Sequence, residues 1–390
     1  MKKIGLCICY DVENFGSTLQ AFATIFGLKK IGCDCEIIRY RKKKNLRFYI
    51  TSFFRLFNVY MLEDKRKRFV SIVSKLLHPS YKKYCAKWHR NFESFQQSHF
   101  SPLLSPENYG FKELQRNSIN YKAVLSGSDQ LWTPSGLPTG FYNLMFVSND
   151  VPKISYASSF GCTSIPWFQK KRTQAYLRRI DAISVRENAG AKIVREMIGK
   201  DVPVVVDPTM LLTRDEWLEQ VPDKILVEKP YIFAYLLGTN KSHRNLVVKF
   251  AKQVGLPIVT VSHCDHYNKA DLGFGDFVRD DVGPEEFVNL IRHATYVCTD
   301  SFHGSVFSII HHKQFVTFTR YAQNAVVSKN SRIESLFQNF KLEQRLYGEG
   351  LLVQIQRPID YAFVEKKLAE MRKSSFDYLE SFFSRMQGTR

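Results

Sequence analysis

The sequence predicts an α/β protein built from two doubly wound domains that face a central cleft. Three observations lead there. Short β-branched and aromatic runs alternate with helix-length segments in both halves of the chain, the pattern of parallel sheets covered by helices. Several of these runs end at small polar residues, the composition of ligand-facing strand-to-helix turns. At 390 residues the chain is long for one core and suits two.

Residues 4–10 read as a buried strand and 11–16 as a polar loop. A helix is expected from Ser17 to about residue 31, with Ser17 and Gln20 at capping-box spacing. Gly32 ends it, and 35–40 reads as the next strand, a β-α-β opening. The opening lacks Gly-x-Gly-x-x-Gly, so a dinucleotide site has no support. Asn14, Phe15, Gly16 and Ser17 stand where a first β-α loop faces a ligand cleft, or else make only a tight turn.

Residues 41–100 break this rhythm. Arg41-Lys42-Lys43-Lys44 is followed by Phe48-Tyr49-Ile50, by Phe53-Phe54-Arg55-Leu56-Phe57, and later by Lys65-Arg66-Lys67-Arg68. Basic clusters alternating with aromatics at helical spacing suit a helix lying on anionic lipid. The alternative is a helical insertion that buries its aromatics against the domain and solvates its charges. Single-stranded nucleic acid is the third reading and is not adopted.

The alternation resumes with strand 122–125, which delivers Ser126, Gly127, Ser128, Asp129 and Gln130 at its carboxyl end, placed for a polar ligand. Strand 153–157 delivers Ser158, Ser159, Phe160 and Gly161. A helix over 166–180 precedes strand 182–185, which ends in Arg186-Glu187. An arginine there points into the crevice where phosphates or carboxylates bind, unless Glu187 or another acid pairs with it. Residues 204–206 then meet Asp207-Pro208-Thr209, a turn that ends a strand. The crossover is expected near 185–210, dividing the chain into residues 1–190 and 191–390.

In the second half, strands at 231–237, 257–261, 296–299 and 314–319 alternate with helices from Ser242 and over 284–294. Between the last two strands lies Asp300-Ser301-Phe302-His303-Gly304-Ser305. Asp300 and Ser301 are residue types that cap a first turn, and His303 falls within that turn. Backbone N–H groups and the helix dipole there favour an anion, which suits a catalytic acid beside a phosphate or carboxylate. The plain alternative is a buried histidine satisfied by hydrogen bonds. Arg320, Asn324, Lys329, Asn330 and Arg332 follow the last strand, and 361–387 reads as an amphipathic helix packing across both domains. Both halves are therefore Rossmann-like.

A hydrophobic content of 44% with 24% charged residues is that of a folded protein rather than a disordered one. The formal charge of +19 implies an acidic partner, and residues 41–100 alone carry fifteen Lys and Arg against three acids. No secretory signal is expected, because Met1-Lys2-Lys3 leads straight into a strand. Cys7, Cys9, Cys33 and Cys35 are then reduced packing residues. Neither this Cys-x-Cys pattern nor His263-Cys264-Asp265-His266 has the context of a metal site, and none is assigned.

Six stretches together resemble the polysaccharide pyruvyl transferase family. They are Asn14-Phe15-Gly16-Ser17-Thr18-Leu19-Gln20-Ala21, Ser126-Gly127-Ser128-Asp129-Gln130-Leu131-Trp132, Ile154-Ser155-Tyr156-Ala157-Ser158-Ser159-Phe160-Gly161, Ile183-Ser184-Val185-Arg186-Glu187, Val206-Asp207-Pro208-Thr209-Met210-Leu211-Leu212 and Asp300-Ser301-Phe302-His303-Gly304-Ser305. Their order and spacing make the match specific, with 41–100 as an atypical insertion. The resemblance implies a GT-B-like fold. It also implies transfer of pyruvate from phosphoenolpyruvate onto two hydroxyls of a cell-surface glycan, often lipid-linked, giving a cyclic ketal and phosphate. No redox cofactor and no obligatory metal are implied.

By resemblance His303 is the general acid and base, and Asp300 or Asp129 orients it or a sugar hydroxyl. Arg186 matches the arginine of the Ser-Val-Arg motif and is the first residue assigned to the donor. Ser301, Gly304, Arg320, Lys329 and Arg332 join it from the second half. Asn14, Phe15, Gly16, Ser17, Ser128, Asp129, Gln130, Ser158 and Ser159 are assigned to the acceptor side of the cleft. Some members carry arginine two residues before the histidine, where this chain has Ser301. A second family arginine has no clear counterpart near Leu237-Gly238, with Lys241 and Arg244 as substitutes. The implied setting is the inner face of the plasma membrane, reached through 41–100. A nucleotide-sugar glycosyltransferase and a non-catalytic membrane- or anion-binding protein are the alternatives.

Overall fold

The computed structural model describes residues 2–44, 69–70, 72–74, 76–262, 264, 267–320, 330–348 and 350–386. In the first half, β1 (Ile4–Cys7) leads through a loop into α1 (Phe15–Lys30) and on to β2 (Cys35–Ile37). A short strand, β3 (Tyr40–Arg41), pairs in parallel with β4 (Asn108–Tyr109), bringing together the two ends of the atypical segment. Between them lies α2 (Pro79–His99). β5 (Ala123–Ser126), β6 (Lys153–Ser158) and β7 (Ala182–Val185) complete a five-stranded parallel sheet of order β2-β1-β5-β6-β7. Its inner strands are buried at every position, as expected for a sheet covered on both faces. The helix α3 (Asn188–Ile198) packs Ile193, Val194 and Met197 onto this sheet, and Val204 bridges Val185. The chain therefore leaves the first sheet only after Val206.

The second half repeats the plan with β8 (Ile232–Tyr235), α4 (Lys241–Val254), β9 (Ile258–Val261) and β10 (Phe277–Arg279). After α5 (Pro284–His293) come β11 (Tyr296–Thr299), α6 (Phe302–Ile310) and β12 (Gln314–Thr317). This sheet is also five-stranded and parallel, in the order β10-β9-β8-β11-β12. α7 (Ser331–Phe340) and the terminal α8 (Tyr361–Arg385) close the chain. The Tyr378 hydroxyl of α8 donates to the Ser155 carbonyl at 2.9 Å, and the Val206 amide donates to Ser375 Oγ at 3.2 Å.

Each strand order reverses once, between β1 and β5 and between β8 and β11, and ligands of such sheets bind outside the carboxyl ends at that point. One apolar core joins the halves, containing Leu6 and Leu125 from the first sheet and Phe233 and Val297 from the second. Phe15, fully buried, sits at the junction. Its ring lies 4.4 Å from Phe287 at 12°, 4.6 Å from Trp88 and 5.8 Å from Tyr235. Burying such a ring contributes about 1.5–3 kcal/mol, and well-placed aromatic neighbours add about 0.5–1.5 kcal/mol each.

Some local expectations give way. α1 begins at Phe15, not Ser17, because Asn14 in extended conformation caps it and accepts from the Ser17 amide. Gln20 forms no capping box, since its amide donates to the Ser17 carbonyl at 2.8 Å. Residues 41–100 are only partly described, so Phe48 to Phe57 and Lys65 to Arg68 lie outside the described residues. The described helix α2 buries Trp88, Phe92 and Phe95 against the shared core, which removes those rings from any lipid-facing surface. Among the described residues no group of three His, Cys, Asp or Glu side chains is arranged to hold a metal. His263, Asp265 and His266 lie outside them.

Candidate active site

β11 ends at Thr299, and α6 starts three residues later, at Phe302, with Ser301 as its N-cap. Ser301 Oγ accepts the Gly304 amide at 3.3 Å, and the Ser301 amide donates to Thr299 Oγ1 at 3.0 Å. Phe302 and His303 occupy the first turn, where amides have no intrahelical acceptor. His303 is 7% exposed, and its ring lies directly on Gly16 at the start of α1. A Cβ on Gly16 would stand 1.9 Å from His303 Nδ1, so only glycine admits the ring in this position. The opposite nitrogen, Nε2, is 3.6 Å from Asp207 Oδ2.

Asp207 is the hub of the site. Arg186 Nη1 donates to its Oδ2 at 2.5 Å, and Ser128 Oγ donates to the same atom at 3.2 Å. Its Oδ1 accepts from the Thr209 amide and hydroxyl at 3.0 and 2.7 Å. Burial works to raise this carboxyl, but His303, Arg186 and Thr209 outweigh it and hold it far below the usual carboxylate range. Asp129 behaves alike. Burial opposes its charge, yet Arg186, His303 and the 2.6 Å hydrogen bond from Ser17 Oγ lower its carboxyl. Asp129 has a φ of 75°, a left-handed conformation unusual for a residue with a side chain and typical of functional sites. Glu187, beside Arg186, is pushed up by burial.

Two guanidiniums lie over the Phe302 ring. Arg186 lies 4.5 Å and Arg332 5.6 Å from the ring centroid. Burial works against the charge of Arg186, but Asp207, Asp129 and Glu187 raise its pKa. Arg332, from α7, is pulled down to about 10 by burial and by Arg186, and so stays charged at neutral pH. Four buried nitrogens here make no hydrogen bond, Arg186 Nε and Nη2, Arg332 Nε and His303 Nε2, although Arg186 Nη2 faces Asp129 Oδ1 at 3.6 Å and Arg186 Nε faces Glu187 Oε2 at 4.0 Å. Buried donors are normally satisfied, so their convergence marks a place for acceptor atoms.

The structure sorts the expected site residues. Arg186, Arg332, His303, Gly16, Ser17, Ser128 and Asp129 come together, and Gln130 follows Asp129 at the half-buried rim. Asp300 does not orient His303. Its oxygens accept the Leu237 and Gly238 amides, both at 2.7 Å, and Arg320 Nη2 at 3.3 Å, tying together the turns after β8 and β11. Arg320 is thereby committed to Asp300, whose carbonyl it also binds at 2.8 Å. Ser301 and Gly304 spend their amides inside the cap, and Gly304 instead lets α6 approach Thr299, whose Oγ1 would be 2.5 Å from an added Cβ. Arg244 offers no substitute cation, since it holds the Leu236 and Gly238 carbonyls and Asp271.

On the acceptor side, Asn14 is a helix cap and Phe15 a core residue. Ser158 Oγ donates to the Gly127 carbonyl and Ser159 Oγ to Glu187, so both are interior struts. Lys329 lies outside the described residues. Asp207 was not among the expected site residues. The one available signal was its place in a motif shared with the family, which read locally as a turn.

The family profile described as polysaccharide pyruvyl transferase matches residues 14–321. No curated protein matches the sequence significantly. Among solved structures, the chain is similar to a protein described as a UDP-N-acetylglucosamine 2-epimerase from Listeria monocytogenes. That likeness has a TM-score of 0.53 at 10% identity and covers 99% of this chain and 98% of the other. MnaA from S. aureus, solved with UDP, gives 0.52 at 12% identity over 98% and 97% of the two chains. Identities this low speak to fold alone, and the fold is GT-B.

Proposed function

We propose that this chain, which belongs to the polysaccharide pyruvyl transferase family, transfers pyruvate from phosphoenolpyruvate to two hydroxyls of one sugar in a cell-surface glycan. The observation that carries this reading is the pairing of two buried guanidiniums, Arg186 and Arg332, over the Phe302 ring, with nitrogens that make no hydrogen bond. Phosphoenolpyruvate bears a phosphate and a carboxylate on one small skeleton and needs several fixed cations close together. Arg186 and Arg332 supply two, and the first-turn amides of α6 add donors. Asp207 and Asp129 keep Arg186 charged and fixed rather than compete with the donor.

His303 carries the proton chemistry in this reading, because its buried ring is held between Gly16 and Asp207 and leaves Nε2 without a hydrogen-bond partner. Protonation of the donor methylene carbon develops positive charge on the adjacent carbon, which the first sugar hydroxyl attacks. Loss of phosphate regenerates an oxocarbenium centre, and the second hydroxyl closes the ketal. Of the two hydroxyl protons released, one replaces that given to the methyl group and one leaves on phosphate. A single histidine alternating between acid and base serves both transfers.

The acceptor is read as lipid-linked, with the protein peripheral at the inner face of the plasma membrane. The fifteen Lys and Arg of 41–100 support this, as do exposed Phe69, Ile72, Leu76 and Leu77. Among the described residues no helix is long and apolar enough to cross a membrane. The test is incubation with phosphoenolpyruvate and candidate lipid-linked oligosaccharides, reading phosphate release and a pyruvyl ketal by mass spectrometry. His303→Ala is expected to fold and to release no phosphate. Near-normal turnover in that variant refutes the assigned role.

A further inference from the structure

A second cavity, of about 240 Å³, lies between the N-terminal end of α2 and the carboxyl edge of the second sheet. Its walls include His78, Tyr81, Tyr84, Tyr267, Asn268 and Asp271. The His78 and Tyr267 rings stack 4.2 Å apart at 16°, and Tyr81 meets Tyr267 edge-on at 5.2 Å. Tyr84 fixes one wall by donating to the Ser262 and Arg279 carbonyls and accepting the Ser262 amide at 2.9 Å. The cavity is joined to the reaction centre through backbone. Asn268 Nδ2 donates to the Gly238 carbonyl at 3.1 Å, and the Gly238 amide donates to Asp300, three residues before His303.

We propose that this cavity binds one pyranose ring of the glycan acceptor, adjoining the sugar that receives the pyruvyl group. The inference rests on the pyruvyl transferase reading for the class of acceptor, while its chemistry is local. The stacked and edge-on aromatic rings of its walls suit the C–H faces of a neutral sugar. Among the described residues the lining includes no Lys or Arg, so it offers no cation to the phosphate or diphosphate of a donor. Its volume is below the usual range for drug-sized ligands and suits one ring rather than a chain. It opens outside the carboxyl end of β9, the end of the sheet at which such folds take ligands.

The experiment uses the full chain and a panel of methyl pyranosides, followed by saturation-transfer NMR, with phosphoenolpyruvate binding measured separately by thermal shift. Wild type is expected to give saccharide signals that weaken at least tenfold in Tyr267→Ala. Leu272→Trp, placed at the exposed edge of the cavity, is expected to weaken them without removing any core residue. The phosphoenolpyruvate shift should be unchanged in both variants. Saccharide signals equal in wild type and both variants overturn the proposal, as does a wild type that binds uridine nucleotides there and no pyranoside. A wild type that binds pyranosides through this cavity but shows no phosphoenolpyruvate shift supports the saccharide cavity and counts against the donor reading alone.

Discussion

Gly16→Ala tests the contact on which the proposed proton chemistry depends. The added methyl would stand 1.9 Å from His303 Nδ1, 2.5 Å from Cγ and 2.6 Å from Cε1. Ordinary contact begins near 3.4 Å, so the ring and helix must separate by about 1.5 Å. Misplacing a catalytic group by about 1 Å costs on the order of 10²-fold in rate. The variant should therefore lose at least about 10²-fold in phosphate release, about 2.7 kcal/mol of transition-state stabilisation. Alanine is the better helix former, by about 0.8–1.0 kcal/mol in a helix interior, which offsets part of the strain. The assay is steady-state release of phosphate from phosphoenolpyruvate with acceptor, together with a double-mutant cycle on melting temperature against His303→Ala. If the methyl acts only through the ring, Gly16→Ala has no further effect once the ring is gone. A near-normal rate for Gly16→Ala, or full additivity in the cycle, refutes the reasoning.

Asp207→Asn removes the carboxylate that balances Arg186 and faces His303. Leaving one partner of a buried ion pair alone costs about 3–5 kcal/mol, so the melting temperature at pH 7 should fall. The folded carboxyl is depressed, so its stabilisation is present above the unfolded value of about 3.9 and is lost as pH falls below it. Wild type should therefore lose stability between about pH 5 and 2 more steeply than Asp207→Asn, and equal slopes would count against the assignment. Asp300→Ala strands the Leu237 and Gly238 amides, at about 1–3 kcal/mol for each unsatisfied group, and should unfold at lower temperature. Asp300→Asn keeps one carbonyl acceptor and should retain most turnover per folded molecule. Loss of turnover with an unchanged melting temperature would restore a chemical role to Asp300.

Both sheets were legible because their inner strands are buried on two faces and read as unbroken apolar runs. Arg186 and His303 were legible as candidates because one directly follows a strand and the other stands in the first helical turn after one, where the fold brings turns together. Asp207 was hidden for the opposite reason. It lies in the segment between the sheets, its neighbours Pro208 and Thr209 explain it locally as a turn, and its partners come from both halves. Asp300 misled by composition, since an acid before a helix looks like a cap until the free amides of the adjoining β8 turn come into view. Phe15 misled likewise, because a loop aromatic and a buried wedge between sheets have the same letter. The two glycines of the centre, Gly16 and Gly304, serve close approach rather than backbone freedom, and no local pattern encodes which ring or hydroxyl will arrive.

Phe15 and Gly16 are consecutive, the first wedged between the sheets and the second against the histidine. A disturbance of the junction at Phe15 is therefore one peptide unit away from the His303 ring. On warming, turnover should fade before the secondary structure melts, and an additive that strengthens the junction should preserve rate as well as shape.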